Sequence, residues 1–272
     1  MSAAFLITLR EGFEIALIIG IILAVLRKSE HLSLFRYVWI ALATALITSL
    51  LAGGLIFAVG FSLEGRAEEI FEGSAMFLAV IVLTYMIFWM KIHAPGLRKK
   101  LEERLGEALE RRSAIALFSL AFVVVLREGI ETVLFMFSVT RTATPSGSAI
   151  GGILGISAAV LLGYLIYAGA THLNLRTFFR ITGILLILVA AGLLARGIHE
   201  FEEAKILPAL VEHVWNIGFL ISEKGVFGSF LKSLIGYTAS PSLLQVMLYF
   251  AYLTSALSYF LTGQRAGQKR SQ

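Results

Sequence analysis

No cysteine and no aspartate occur among the 272 residues. Without cysteine there are no disulfides, no thiolate metal ligands and no cysteine nucleophile. Without aspartate, every acid is a glutamate. Charge is also scarce, at 15% of residues against 58% hydrophobic. A soluble domain of this length needs far more charge to cover its surface. The balance is that of an all-α polytopic membrane protein, with no room for a separate soluble enzyme module. Only four prolines are present: Pro95, Pro145, Pro208 and Pro241. All fall between long apolar runs, where a missing backbone donor does least harm.

Runs of about 20 apolar residues mark membrane spans. Seven are expected, at about 3–26, 37–61, 70–92, 113–139, 148–173, 177–197 and 243–262. The first lacks a basic n-region and a small-residue cleavage site, so it reads as a retained span. The formal charge of +5 does not point to nucleic acid, because the basic residues fall in short loops. Arg27, Lys28 and Arg36, the group from Lys91 to Arg112, Arg176 and Arg180, and Arg265, Lys269 and Arg270 all lie on one set of connections. The positive-inside rule then puts the N-terminus outside and the C-terminus in the cytoplasm. The stretch 93–112 reads as a charged cytoplasmic linker helix. Residues 198–242 read as an outer loop, in which "HVWNIGFLI" and "GVFGSFLKSLIGY" form interfacial or re-entrant pieces. Residues 243–272 hold the last span and a basic tail.

One pattern recurs. "FLITLREGFEIAL" (5–17) matches "FVVVLREGIETVL" (122–134) at a constant offset. Phe, Leu, Arg, Glu, Gly, Glu and Leu return in place. Apolar helices align leucine on leucine by chance, but rarely three charges and a glycine in register. The copies open the first and fourth spans, so each repeat has three spans: 1–92, and 113–197 after the linker. An odd number of spans inverts the second repeat, and such transporters place their site near the midplane. At 1.5 Å per residue both glutamate pairs fall roughly 12–17 Å from the outer ends of their spans.

Each residue turns a helix by about 100°. Arg10, Glu11 and Glu14 therefore share one sector, as do Arg127, Glu128 and Glu131. That sector must face protein or water, since a charge facing lipid at this depth costs several kcal/mol. Gly12 and Gly129 leave room for a neighbouring helix, as does Ala16. Gly151 and Gly155 in "GGILG" are a further helix-packing signature. Arginine stays charged and must be paired. Four glutamates then leave surplus negative charge. Oxygen-only ligands suit a hard cation such as Mg²⁺, Ca²⁺, Mn²⁺ or ferric iron. The bland alternative is a pair of buried ionic clusters that only set helix register.

The outer loops are rich in glutamate, which fits a surface that collects cations. Glu68, Glu69, Glu72, His199, Glu200 and Glu203 are candidates for the outer approach to the site. Glu72 stands apart because it leads into the third span in "IFEGSAMFL". Tyr85, Trp89, Tyr249 and Tyr252 read as packing or belt residues. His31, His93, His172 and His213 are assigned nothing.

The paired "REGFE" and "REGIE", with "FEGSAMFLAVIVLTYMIFWM" after the outer acids, resemble the iron permease family over most of the chain. That family comprises the fungal high-affinity iron permeases and bacterial relatives of the Efe type. The resemblance implies that Glu11, Glu14, Glu128 and Glu131 bind and pass iron, with Arg10 and Arg127 as charge partners. It also implies an extracytoplasmic partner that handles iron redox: an oxidase in fungi, or a haem peroxidase and a cupredoxin-like protein in bacteria.

The expectation is thus a multi-pass iron permease of a prokaryotic cytoplasmic membrane. It is not an enzyme, and iron is its transported ion and not a prosthetic group. Ferric iron, oxidised outside, is the expected cargo. Another hard divalent ion such as Mn²⁺ or Mg²⁺ is the alternative. A membrane di-iron carboxylate enzyme fits poorly, because its sites usually include Glu-x-x-His pairs. A purely structural membrane protein is the remaining alternative. The sequence leaves the oligomeric state open.

Overall fold

The computed structural model describes residues 1–93, 96, 103, 105–106, 113–142, 145–167, 174–208, 211, 214–216 and 225–268. Among these there are eight α-helices and no strand: α1 (Ser2–Lys28), α2 (Phe35–Ser62), α3 (Arg66–His93), α4 (Ala114–Thr142), α5 (Pro145–Tyr167), α6 (Leu175–Glu203), α7 (Val226–Ile235) and α8 (Leu243–Gln268). All but α7 have 23 residues or more. Each of these exceeds the roughly 30 Å of a bilayer core. They fall on the seven apolar runs. Five segments (in α2, α3, α5, α6 and α8) are long and apolar enough to cross a membrane by composition alone. The other two long helices, α1 and α4, carry the repeated charges.

The helix ends follow local chemistry. Glu68 and Glu69 lie in the first turn of α3, and Arg27 and Lys28 in the last turn of α1, as the helix dipole favours. The Asn174 side chain caps α6 by accepting from the Thr177 amide at 3.3 Å. At its far end α6 runs about two turns beyond the expected 197. The pairs Arg196–Glu200 and His199–Glu203, each four residues apart, support that extension.

The principal packing partners are α1 with α5, α2 with α4, and α3 with α6. This pattern is unchanged when the first three helices are exchanged for the next three. The two motif helices, α1 and α4, also touch each other at the centre. Small residues make the close pairs possible. A Cβ on Gly12 would fall 2.9 Å from the Ala159 Cβ of α5, and one on Gly129 would strike the Ser49 side chain of α2. Ala16 faces Gly163, and Gly151 and Gly155 lie against the Met1 and Phe5 carbonyls. Thr8 adds a cross-helix hydrogen bond, donating to the Gly152 carbonyl at 3.1 Å.

The outside of this bundle is apolar. Leu46, Ile47, Leu50, Leu51 and Leu55 of α2 are exposed, as are Ile150, Ile153, Leu154, Ile156, Val160 and Leu161 of α5. Soluble monomers rarely carry such continuous patches. Lipid covers them here. The last helix, α8, packs mainly on α6 and is tied to α3 by Thr84 and Tyr252, whose hydroxyls lie 2.7 Å apart. Lys91 donates to the Tyr259 carbonyl at 3.0 Å.

The segment "GVFGSFLKSLIGY" contains a real helix, α7, ended by Gly236 in the left-handed conformation at φ 69°. Ser233 of α7 accepts hydrogen bonds from the Met1 amino group and the Ala3 amide, both at 3.2 Å. Gly236 packs directly on Gly192 of α6, where neither position has room for a side chain. Most of the expected linker helix at 93–112 lies outside the described residues, though Leu105 is buried near Leu26, Val38 and Leu117. Of "HVWNIGFLI", only 214–216 are described.

Candidate metal centre

The repeated motif brings its charges together. Carboxylate oxygens of Glu11, Glu128 and Glu131, one from each, all lie within 4.8 Å of one another. Glu11 comes from α1, and Glu128 and Glu131 from α4. The cluster therefore exists only because the two motif helices meet. Glu11, Glu14 and Glu128 are buried. Glu131 retains a little exposure, at 16% of its side chain.

The arginines bind within their own motifs. Arg10 lies 3.5 Å from Glu11 and 3.3 Å from Glu14. Its one hydrogen bond goes elsewhere, from Nη1 to the Met86 Sδ of α3 at 2.9 Å. Arg127 donates twice to Glu128 Oε1, at 3.1 and 2.8 Å, and lies 3.3 Å from Glu131. Its Cζ sits 5.5 Å from the centre of the Trp89 ring.

Two arginines do not satisfy four carboxylates. Both oxygens of Glu11, and one each of Glu14, Glu128 and Glu131, are buried without a hydrogen-bond partner. A buried acceptor left unmade costs about 1–3 kcal/mol, and more when charged. Among the described residues no donor hydrogen-bonds to them, and only the Oε1 atoms of Glu11 and Glu14 have an ion pair, to Arg10. A multivalent cation bound by oxygen would relieve them, and hard cations take such ligands. No sulfur or imidazole joins the cluster among the described residues.

A second layer of charge lies toward the N-terminal end of α3 and the C-terminal ends of α4 and α6. Arg141 of α4 sits 3.0 Å from Glu72 and 3.3 Å from Glu68, and donates to the Gly60 carbonyl at 2.9 Å. Arg196 lies 2.8 Å from Glu200, and His199 3.2 Å from Glu203. Glu72 and Glu200 are buried and within electrostatic reach of each other. Between the two layers the wall is apolar. Ile7, Met76, Ala79, Leu83 and Phe135 are fully buried there in one cluster. Glu68, Glu72 and Glu200 therefore gather around Arg141 and Arg196, apart from the central glutamates. Glu69 has no particular place in this arrangement.

Sequence reasoning did not single out Arg141 and Arg196. Arg141 lies 14 residues beyond Arg127, close to four full turns, so the face of α4 that carries the motif signalled it. Met86 and Trp89 were also missed as neighbours of the arginines. Nothing in the sequence distinguishes them from ordinary packing residues.

Comparison with known proteins gives the family of the chain. The profile of the iron permease FTR1 family matches residues 1–268. The chain is 34% identical over 274 residues to the ferrous iron permease EfeU of Escherichia coli O6:K15:H31, covering 100% of this chain and 99% of that protein. It is 34% identical over 268 residues to the ferrous iron permease EfeU of Yersinia pestis, covering 98% and 95%. No solved structure matches the chain. A multi-pass membrane permease, not an enzyme, is the class that the fold and these relatives share. The chain belongs to the iron permease FTR1 family.

Proposed function

We propose that this protein carries iron across the cytoplasmic membrane through a central site built from Glu11, Glu14, Glu128 and Glu131. One observation supports the reading: carboxylates from both motif helices converge, and the two arginines leave five of their buried oxygens without a hydrogen bond. Arg10 and Arg127 balance part of the charge when the site is empty and shift partners when iron arrives. Glu72 admits the ion from outside, helped by Glu68 and Glu200 around Arg141 and Arg196. The N-terminus lies outside, the C-terminus inside, and the two three-helix repeats are inverted about the site.

The all-oxygen donor set favours the harder ferric ion as the species held. An extracytoplasmic oxidase or peroxidase, with a cupredoxin-like protein, then belongs to the pathway. The relatives are named for the ferrous ion. Uptake into liposomes holding the purified protein, with Fe²⁺ and Fe³⁺ compared, decides between them. Excess Mn²⁺ and Mg²⁺ test the cargo. Iron accumulation that they do not suppress supports the reading. No iron uptake by the wild type, or full uptake when all four glutamates are glutamine, overturns it.

A further inference from the structure

We propose that the four motif glutamates divide into three ligands and one transfer group. Glu11, Glu128 and Glu131 hold the cation. Glu14, guarded by Arg10, receives it on the way onward. This rests on the permease reading above and refines what each carboxylate does.

The division comes from distances. Oxygens of Glu11, Glu128 and Glu131 converge within 4.8 Å, and Glu14 is not part of that group. Glu14 is three residues further along α1, about 4.5 Å along the axis. That is one short step for an ion leaving the triad.

The two arginines support the same division. Arg127 is fixed by two hydrogen bonds to Glu128, so it holds one member of the triad in place. Arg10 is poorly satisfied. Its side chain is 1% exposed, its Nε has no partner, and its one hydrogen bond ends on a thioether, a weak acceptor. It lies 3.3 Å from Glu14 without hydrogen-bonding to it. A buried guanidinium in that state gains by turning from Met86 toward a carboxylate. With Arg10 on Glu14, the transfer carboxylate is blocked. With Arg10 donating to Met86, as here, Glu14 Oε1 keeps only the 3.3 Å ion pair to Arg10 Nη2, without a hydrogen bond, and an incoming ion can displace it. Arg10 is a positioning residue and does not itself touch the cation.

The test separates binding from movement. Equilibrium dialysis of the detergent-purified protein, with Fe³⁺ kept soluble as its citrate and in parallel with Fe²⁺ under anaerobic conditions, gives Kd, and liposome uptake of the same ions gives the rate. Glu11→Gln, Glu128→Gln and Glu131→Gln are expected to weaken binding by about tenfold or more. Glu14→Gln is expected to bind within about threefold of the wild type while uptake falls by about tenfold or more. Should Glu14→Gln fail to assemble, Glu14→Asp is expected to keep the wild-type Kd with slower uptake. Loss of binding in either Glu14 variant equal to that in the other three overturns the division, as does unchanged uptake in Glu14→Gln. A wild type that binds no iron overturns the permease site itself, a different failure.

Discussion

Arg10 and Arg127 occupy the same place in the repeated motif but not the same surroundings. Arg10 is 1% exposed and hydrogen-bonds to Met86, whereas the Arg127 side chain is 48% exposed and lies beside Trp89. Identical sequence thus gives two different electrostatic settings. Removing Arg10 leaves Glu11 and Glu14 buried without a counter-charge, a change that costs about 3–5 kcal/mol. Arg127 is half exposed on the side of the bundle at mid-helix, where an unburied charge is itself costly, so its removal forfeits less. Arg10→Met is therefore expected to lower Tm more than Arg127→Met. Added Fe²⁺ or Mn²⁺ should recover part of the Arg10→Met loss by binding the folded state. Thermal unfolding in detergent with and without the ion checks both statements.

The motif glycines make a second, independent prediction. A methyl at Gly129 meets the Ser49 side chain, and one at Gly12 meets Ala159. Overpacking of this kind costs about 1–3 kcal/mol. Gly129→Ala and Gly12→Ala are expected to lower stability, and the pairs Gly129→Ala with Ser49→Gly, and Gly12→Ala with Ala159→Gly, to regain much of it. A double-mutant cycle on thermal stability measures the coupling.

Glu72 and Arg141, 3.0 Å apart, sit in the second charged layer and not among the central glutamates. Glu72→Gln is expected to raise the iron concentration needed for half-maximal uptake by about tenfold, with a smaller effect at saturating iron. Equilibrium binding at the centre should stay close to that of the wild type. Uptake measured across a range of iron concentrations, with dialysis in parallel, distinguishes an outer approach from a central ligand.

Iron moving alone carries charge inward. An inside-negative potential contributes about 2.3 kcal/mol per elementary charge per 100 mV. A potassium diffusion potential across the liposome, negative inside, is expected to accelerate uptake, and the opposite polarity to slow it. Uptake indifferent to both would require a compensating ion.

Much of this was legible in the sequence, and the reasons are physical. The long apolar runs had to become helices, because backbone groups in lipid must be satisfied within the segment. The repeated charges had to share a sector, because the helical turn fixes their angles. Angle does not give distance, however. That Glu14 stands apart from the other three glutamates depends on how α1 crosses α4, and no sequence period records it. The contrast between Arg10 and Arg127 depends on α3, which brings Met86 to one and Trp89 to the other. The outer pairing of Arg141 with Glu68 and Glu72 joins α4 to α3 across a long stretch of chain. The linker helix expected at 93–112 lies largely outside the described residues.

The central claim is that carboxylates from both motif helices grip one cation. An anomalous difference map, recorded at the iron edge from crystals of the protein grown with Fe³⁺ citrate and, separately, with Fe²⁺, tests it most directly. The account predicts a single strong peak within bonding distance of Glu11, Glu128 and Glu131. A map with no density there, or with iron only at the outer glutamates, would contradict it.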